Sequence, residues 1–216
     1  MAFTFAPLTN NFSIEYIIQL VIDDTGRADK LEEIKRRIQR ALMHHHLKDY
    51  YKKDHIDAIY VFQTPGQLEQ VIDTTLIINF RNPSYIRKFQ TVDVNGNPIA
   101  PTTEQGDLKE TAPEKAFDGY GFDKLNVFYR SGTDIKIRSS TPIDQVFMGY
   151  YTFPAIEPIA NINSWIANEY PTLIAATAKR RIFKDIGKDD EAKSAKEEED
   201  EELATLQTNN ITLEAH

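Results

Sequence analysis

The hydrophobic pattern changes period twice along the chain. Phe12 to Ile22 is apolar and rich in β-branched residues, so helix and strand compete there; Ser13 as N-cap and Gly26 just past the end favour a short helix. The next helix reads more plainly. Leu31, Ile34, Ile38 and Leu42 recur at helical spacing behind a capping-box-like start, Asp29-x-x-Glu32, and the pattern carries through His44–His46 to about Tyr51. Lys35, Arg36, Arg37 and Arg40 fall on the opposite face.

Period two follows. His55 to Phe62 and Thr74 to Phe80 predict strands, and the run Val92–Val94 meets Asn95-Gly96, a type I′ turn signal. Residues 100–118 are polar, contain two prolines and predict a long exposed loop. Leu125 to Tyr129, a turn at Arg130–Thr133 and Asp134 to Arg138 predict a hairpin with Ile135 and Ile137 inward, and Val146 to Phe153 predicts one more strand.

Helical spacing then returns. Asn163 or Ser164 caps a short helix containing Trp165, and Pro171 restarts the pattern. Ile174, Ala178, Ile182 and Ile186 form a stripe closed by Gly187 at the C′ position. The strands are consecutive and do not alternate with helices, so the expected class is α+β. The simplest packing is a helical bundle from the N- and C-terminal helices (12–51 and 163–186) with a β-rich insertion (55–153) projecting from it.

Charge adds an appendage to this picture. Residues 188–216 hold ten acids and three lysines, whereas residues 1–187 hold 23 acids and 22 bases. Nearly all of the net charge of −8 therefore follows Gly187, and no Phe, Tyr or Trp occurs after Phe183. The expected organisation is a body over 1–187 and, over 188–216, an acidic helix running into an extended, flexible C-terminal tail. The run Glu197–Glu202 reads as a solvated face, or as an interaction tail for which Leu203, Leu206, Ile211 and Leu213 are the docking points.

Composition narrows the function. The 216 residues are 41% hydrophobic, enough for a packed core. The absence of cysteine excludes a disulfide scaffold, a zinc-thiolate or iron–sulfur site and a thiol nucleophile. No apolar run approaches the roughly 18–20 residues of a membrane span, and the opening MAFTFAPLTNNFS shows no secretory signal.

Chemistry is hard to find. His44, His45 and His46 are consecutive, so on a helix they point about 100° apart and cannot converge on one ion. A remote reading as a metal-dependent enzyme would need His45, His46, His55 and Asp57 from separate elements. Neither phosphate-binding glycine motif occurs, nor G-x-S-x-G, and no pair of carboxylates stands in an identifiable apolar pocket. The expectation is no enzyme, no cofactor and no catalytic or metal residues. Two basic sets, Lys35–Lys53 and Lys179–Lys184, could meet phosphate, but acids interleave with the first, and a sequence pI near 5.2 opposes non-specific DNA affinity.

The stretch 126–186 carries a resemblance. Tyr150-Tyr151-Thr152-Phe153-Pro154 ends a strand, Trp165 and Tyr170-Pro171 follow, and Ala175, Ala176 and Ala178 lie on the next helix. This order resembles the late portion of the head-to-tail adaptor proteins of tailed bacteriophages, the tail tubular protein A-like family. The acidic Glu197–Glu202 run resembles that family's charged C-terminal helix. The polar stretch 100–118 departs from the pattern by lengthening the β portion, and the tail beyond 203 is unplaced in it. The resemblance implies a helical bundle with a β insertion, assembled as a ring, usually a dodecamer, beneath the portal protein. Such a ring sits at the head–tail interface of the virion, after assembly in the host cytoplasm. It extends the DNA channel, lets DNA pass without specific binding, and offers a surface to the tail or nozzle protein. The C-terminal segment would reach the portal. The alternative is another neck component, a stopper or a terminator.

Overall fold

The computed structural model describes residues 14–92, 98–116, 124–155, 162 and 164–214. In chain order these form α1 (Ile14–Thr25), α2 (Leu31–Lys48), β1 (His55–Val61), β2 (Gln67–Asp73), β3 (Phe80–Val92), β4 (Pro98–Glu110), α3 (Pro113–Ala116), β5 (Val127–Ser131), β6 (Asp134–Ile143), β7 (Gln145–Thr152), α4 (Trp165–Glu169), α5 (Pro171–Asp185) and α6 (Asp189–Glu214). The protein is thus mixed α and β. It divides into two compact units: Asp54–Phe153 holds β1–β7 and α3, and the remainder of the chain holds α1, α2 and α4–α6.

In the helical unit, one apolar core draws on both ends of the chain. Ile17 and Val21 from α1, Ile34, Ile38 and Leu42 from α2, Ile166 from α4, Leu173 and Ile174 from α5, and Leu203 and Leu206 from α6 are all buried in it. Each large aliphatic side chain removed from water contributes about 1.5–3 kcal/mol. The ends of the helices follow local chemistry. Gly26, at φ +65°, stops α1 by donating its N–H to the Ile22 carbonyl at 2.8 Å. Gly187, at φ +72°, closes α5 as expected: its N–H bonds the Lys184 carbonyl at 3.3 Å and the Lys188 N–H bonds the Phe183 carbonyl at 2.9 Å, a Schellman motif. Ile186, the last member of the predicted stripe, lies beyond the buried part and is exposed. The start of α2 differs from expectation. Asp29 is held by Arg27 (Nε–Oδ1 2.9 Å) and Glu32 by Lys35 (2.7 Å), and α2 begins without a side-chain cap after a short 3-10 turn at Ala28–Lys30. Ser13 lies outside the described residues.

The segment after Gly187 also differs. It forms one 26-residue helix lying against α5. Ala195, Glu199, Leu203 and Leu206 recur at i, i+4, i+8 and i+11 and make a buried stripe. The acidic stretch is therefore not wholly solvated, because two of its acids meet α5 bases.

In the β unit the strand order is β1-β7-β3-β4-β5-β6-β2, with β4–β5 parallel and the other pairs antiparallel. β6 and β7 stand four places apart in that order yet are joined by Asp144 alone. Flat, four steps would span about 19 Å at ~4.8 Å each, several times the reach of one residue. The sheet must curl, and it closes over Ile72, Ile86, Phe128, Ile135, Ile137 and Met148.

Two sequence expectations fail in this unit. Thr74–Phe80 is not a strand. The Asp73 carboxylate accepts from Thr75 N (2.9 Å) and Thr75 Oγ1 (2.6 Å), and Asn79 takes φ +56°, so the segment turns. The strand lies instead over the polar Gln67–Asp73. The predicted loop at 100–118 is mostly β4, pinned by Leu108 opposite Ile86, and Gly106 (φ +94°) sits in a bulge where the register against β3 shifts. The Asn95-Gly96 turn lies outside the described residues, although the flanking β3 and β4 do pair antiparallel. The predicted hairpin forms as β5–β6 around Gly132 at φ +65°.

Candidate functional site

The densest polar chemistry lies where α2, α5 and α6 meet. Two contacts fix α2 antiparallel to α5: Arg37 pairs with Asp185, and His45 Nε2 lies 2.8 Å from Thr177 Oγ1. That register brings the middle of α2 against Arg181. The two basic runs, separate in sequence, become one patch.

Its members repel one another. Burial first, and then Arg180, Arg37 and Arg40, hold the Arg181 guanidinium below its ordinary pKa, with only Glu199 opposing. Glu199 is itself buried and bonded to Arg180 at 2.6 Å. His44 is also held below its usual range, by burial and then by Arg181. Arg40, Lys48, Arg181 and Lys184 have no ion-pair partner among the described residues. Arg40, His44 and Lys48 follow at i, i+4 and i+8, so they line one exposed face of α2.

Inside this patch His45 is fully buried. Thr177 Oγ1 donates to the Leu173 carbonyl (2.9 Å), so it must accept from His45 Nε2–H; Nδ1 carries the lone pair and meets no partner. Burial foremost, then the neighbouring positive charges, drive the His45 pKa down to about 3. Glu199 Oε1 stands 4.0 Å away, but its stronger partner is Arg180, and His45 is neutral. On the far side of α5, Lys179 Nζ bridges Asp24 and Glu198, each at 2.8 Å. Burial works against that charge, and the two carboxylates outweigh it and raise the pKa.

Trp165, singled out by the sequence, is the hub of an aromatic group. Its ring lies 5.2 Å from Tyr51, 6.0 Å from His46 and 6.3 Å from Tyr170. His46 Nε2 sits 2.9 Å from Ser164 Oγ, the hydroxyl that caps α4 by accepting from Ala167 N. Tyr170 Oη accepts from Asn209 Nδ2 at 2.9 Å, tying the late part of α6 to the start of α5.

In the β unit, Tyr85 Oη donates to Asp57 at 2.7 Å, and His55 Nδ1 lies 3.5 Å from the same carboxylate. Burial and that hydrogen bond push the Tyr85 hydroxyl up to about 12. Both rings lie across Gly149, so the trio is a clasp on the sheet. Lys88, buried, donates to Asn126 (2.6 Å), Ser139 (3.0 Å) and Thr141 (3.0 Å). A Lys–Ser contact can serve nucleophilic catalysis, but Ser139 here is 1% exposed and lies within the β unit's polar network.

The sequence-derived candidates are placed as follows. Leu203 and Leu206 are not exposed docking points, because both are buried in the core of the helical unit, where the α6 stripe faces α5. The side chains of Ile211 and Leu213 lie outside the described residues. His45 and His46 are engaged with Thr177 and Ser164, while His55 and Asp57 belong to the β clasp. No group of three or more His, Asp or Glu among the described residues could hold a metal ion. No helix among them is long and apolar enough to cross a membrane. The α2–α5 arginine patch is the feature that one-dimensional reading divides, since only the antiparallel packing joins its halves.

No protein-family model matches this chain, and the comparison with curated proteins finds no match.

Proposed function

We propose that this chain is a structural virion protein, a head-to-tail connector adaptor. In this reading it assembles as a ring, a dodecamer by resemblance, beneath the portal. It extends the DNA channel and presents the surface that the tail or nozzle protein meets. The observation that carries the reading is the layout. Helices from the two ends of the chain share one core, and Asp54–Phe153 forms a separate β unit inserted between them. A helical bundle interrupted by a β insertion is the architecture the resemblance implies. The unpaired surface charge supports it too, since the work assigned to such a protein is contact with other chains.

The buried positions of Leu203 and Leu206 move the portal contact toward the end of the chain. In the proposal, the segment from residue 210 onward, with Ile211 and Leu213, reaches the portal and leaves the rest of α6 on its own core. The test mixes the chain with the portal of the same genome and measures mass by light scattering after size exclusion, with negative-stain microscopy. One copy added per portal subunit, as a ring below the portal, is the expected result. An unchanged portal beside free chain refutes the adaptor reading and leaves a stopper or terminator at the tail end as the next to examine.

A further inference from the structure

Among the described residues, the arginine patch on α2 and α5 holds more bases than acids that answer them. Arg40, Lys48, Arg181 and Lys184 remain without ion-pair partners among the described residues; Glu199, which faces Arg181, is bonded to Arg180, and Asp185, one turn further along α5, to Arg37. Such a cluster of mutually repelling guanidiniums is stabilised by any anion that docks on it.

The matching surplus stands on α6. Asp190, Glu197 and Glu201 are exposed and without ion-pair partners among the described residues. They recur at i, i+7 and i+11, so they share one helical face, away from the buried Ala195–Leu206 stripe. That acidic row is about 16 Å long and the α2 row from Arg40 to Lys48 about 12 Å, at ~1.5 Å per residue. Within one chain the two rows do not meet: the acids that α6 gives to its own unit, Glu198 and Glu199, come from its other faces.

We propose that the basic face of α2 and α5 is the seat for the acidic outer face of α6 from a second copy of this chain. This rests on the ring reading above and names the contact through which the ring closes. The patch and its complement are different surfaces of one protomer, so the contact is head-to-tail and closes into a ring when the rotation permits. Leu47, exposed on α2 beside Lys48, gives the rim an apolar contact. Single surface ion pairs contribute little, so the charges act together, fixing register and excluding wrong neighbours. DNA phosphate is the weaker occupant: the same helical unit carries the whole acidic run of α6, and the net charge is −8.

The experiment is a charge exchange read by light scattering and native mass spectrometry. Arg40→Glu with Arg181→Glu should prevent self-association, and so should Glu197→Arg with Glu201→Arg. An equimolar mixture of the two variants should assemble again into rings of alternating composition, with an even number of copies. Because Arg181 is half-buried, Arg40→Glu with Lys48→Glu, both exposed, is run in parallel, with thermal melts to show that each variant is folded. Assembly of folded variants as readily as wild type, or failure of the mixture to recover, overturns the proposal. Variants that assemble normally but lose retention on duplex DNA would give the patch to phosphate and overturn it as well. A wild-type chain that forms charge-sensitive rings yet ignores the portal would sustain this contact and sink the adaptor reading; a wild type that forms no ring either alone or on the portal sinks both.

Discussion

His45 donates its Nε2–H to Thr177 Oγ1 across 2.8 Å, joining α2 to α5 through a neutral imidazole whose other nitrogen is buried without a partner. The ring is built for the unprotonated state. In the unfolded chain it titrates near 6.5, and in the folded protein near 3. Below about pH 6.5 the unfolded state therefore binds the extra proton, and stability falls as the pH is lowered through this window toward 3. The slope approaches about 1.4 kcal/mol per pH unit. Urea melts at about pH 7 and about pH 5 check it. His45→Gln should flatten most of that difference, and an unchanged slope would assign it to other groups.

Gly149 predicts a steric result. A Cβ there would stand 2.4 Å from Tyr85 Cε1 and 2.7 Å from His55 Nε2. Gly149→Ala should force Tyr85 aside, break its bond to Asp57 and cost about 1–3 kcal/mol. A crystal structure or the tyrosine titration checks this: the hydroxyl held near 12 should drop toward its ordinary value in the variant.

Leu206, 2% exposed, should behave as a core residue. Leu206→Ala should lower stability by about 2–5 kcal/mol, measured by thermal melts of the free chain. Deleting residues 210–216 should leave the melting transition in place and abolish portal binding. Portal binding retained by the truncated chain would remove that segment from the contact.

Among the described residues, the buried Lys88 amine is answered by three neutral oxygens, and burial lowers its pKa. Asn126, held at φ +58°, accepts from it and from Ser140 N at 3.1 Å. Lys88→Met strips a donor from three oxygens at once and should destabilise by about 1–3 kcal/mol. Ser139→Ala, which removes one acceptor, should cost less, and denaturant midpoints give the order.

Legibility differed by element for physical reasons. α2 was plain in the sequence because Ile34, Ile38 and Leu42 are large and evenly spaced. The buried face of α6 was hidden because two of its four members are Ala195 and Glu199, inside a run whose charge reads as solvated. Thr74–Phe80 imitates a strand through its β-branched content, yet a single carboxylate at Asp73 turns it. β4 reads as a loop because its sequence is mostly polar and carries two prolines, and among its described side chains Leu108 is the buried one. The arginine patch depends on residues more than a hundred positions apart, and no local pattern announces it.

The core of the helical unit joins Ile17 to Leu206. During synthesis the strands of Asp54–Phe153 are all delivered before α5 and α6 exist, so the β unit can complete its fold as one continuous segment. α1 and α2 precede that segment, and Ile17, Ile34 and Ile38 meet their partners on α4, α5 and α6 only after it has been made. The β unit is therefore a closed errand within the chain, whereas the helical unit is a promise that the residues before Asp54 make and those after Phe153 keep.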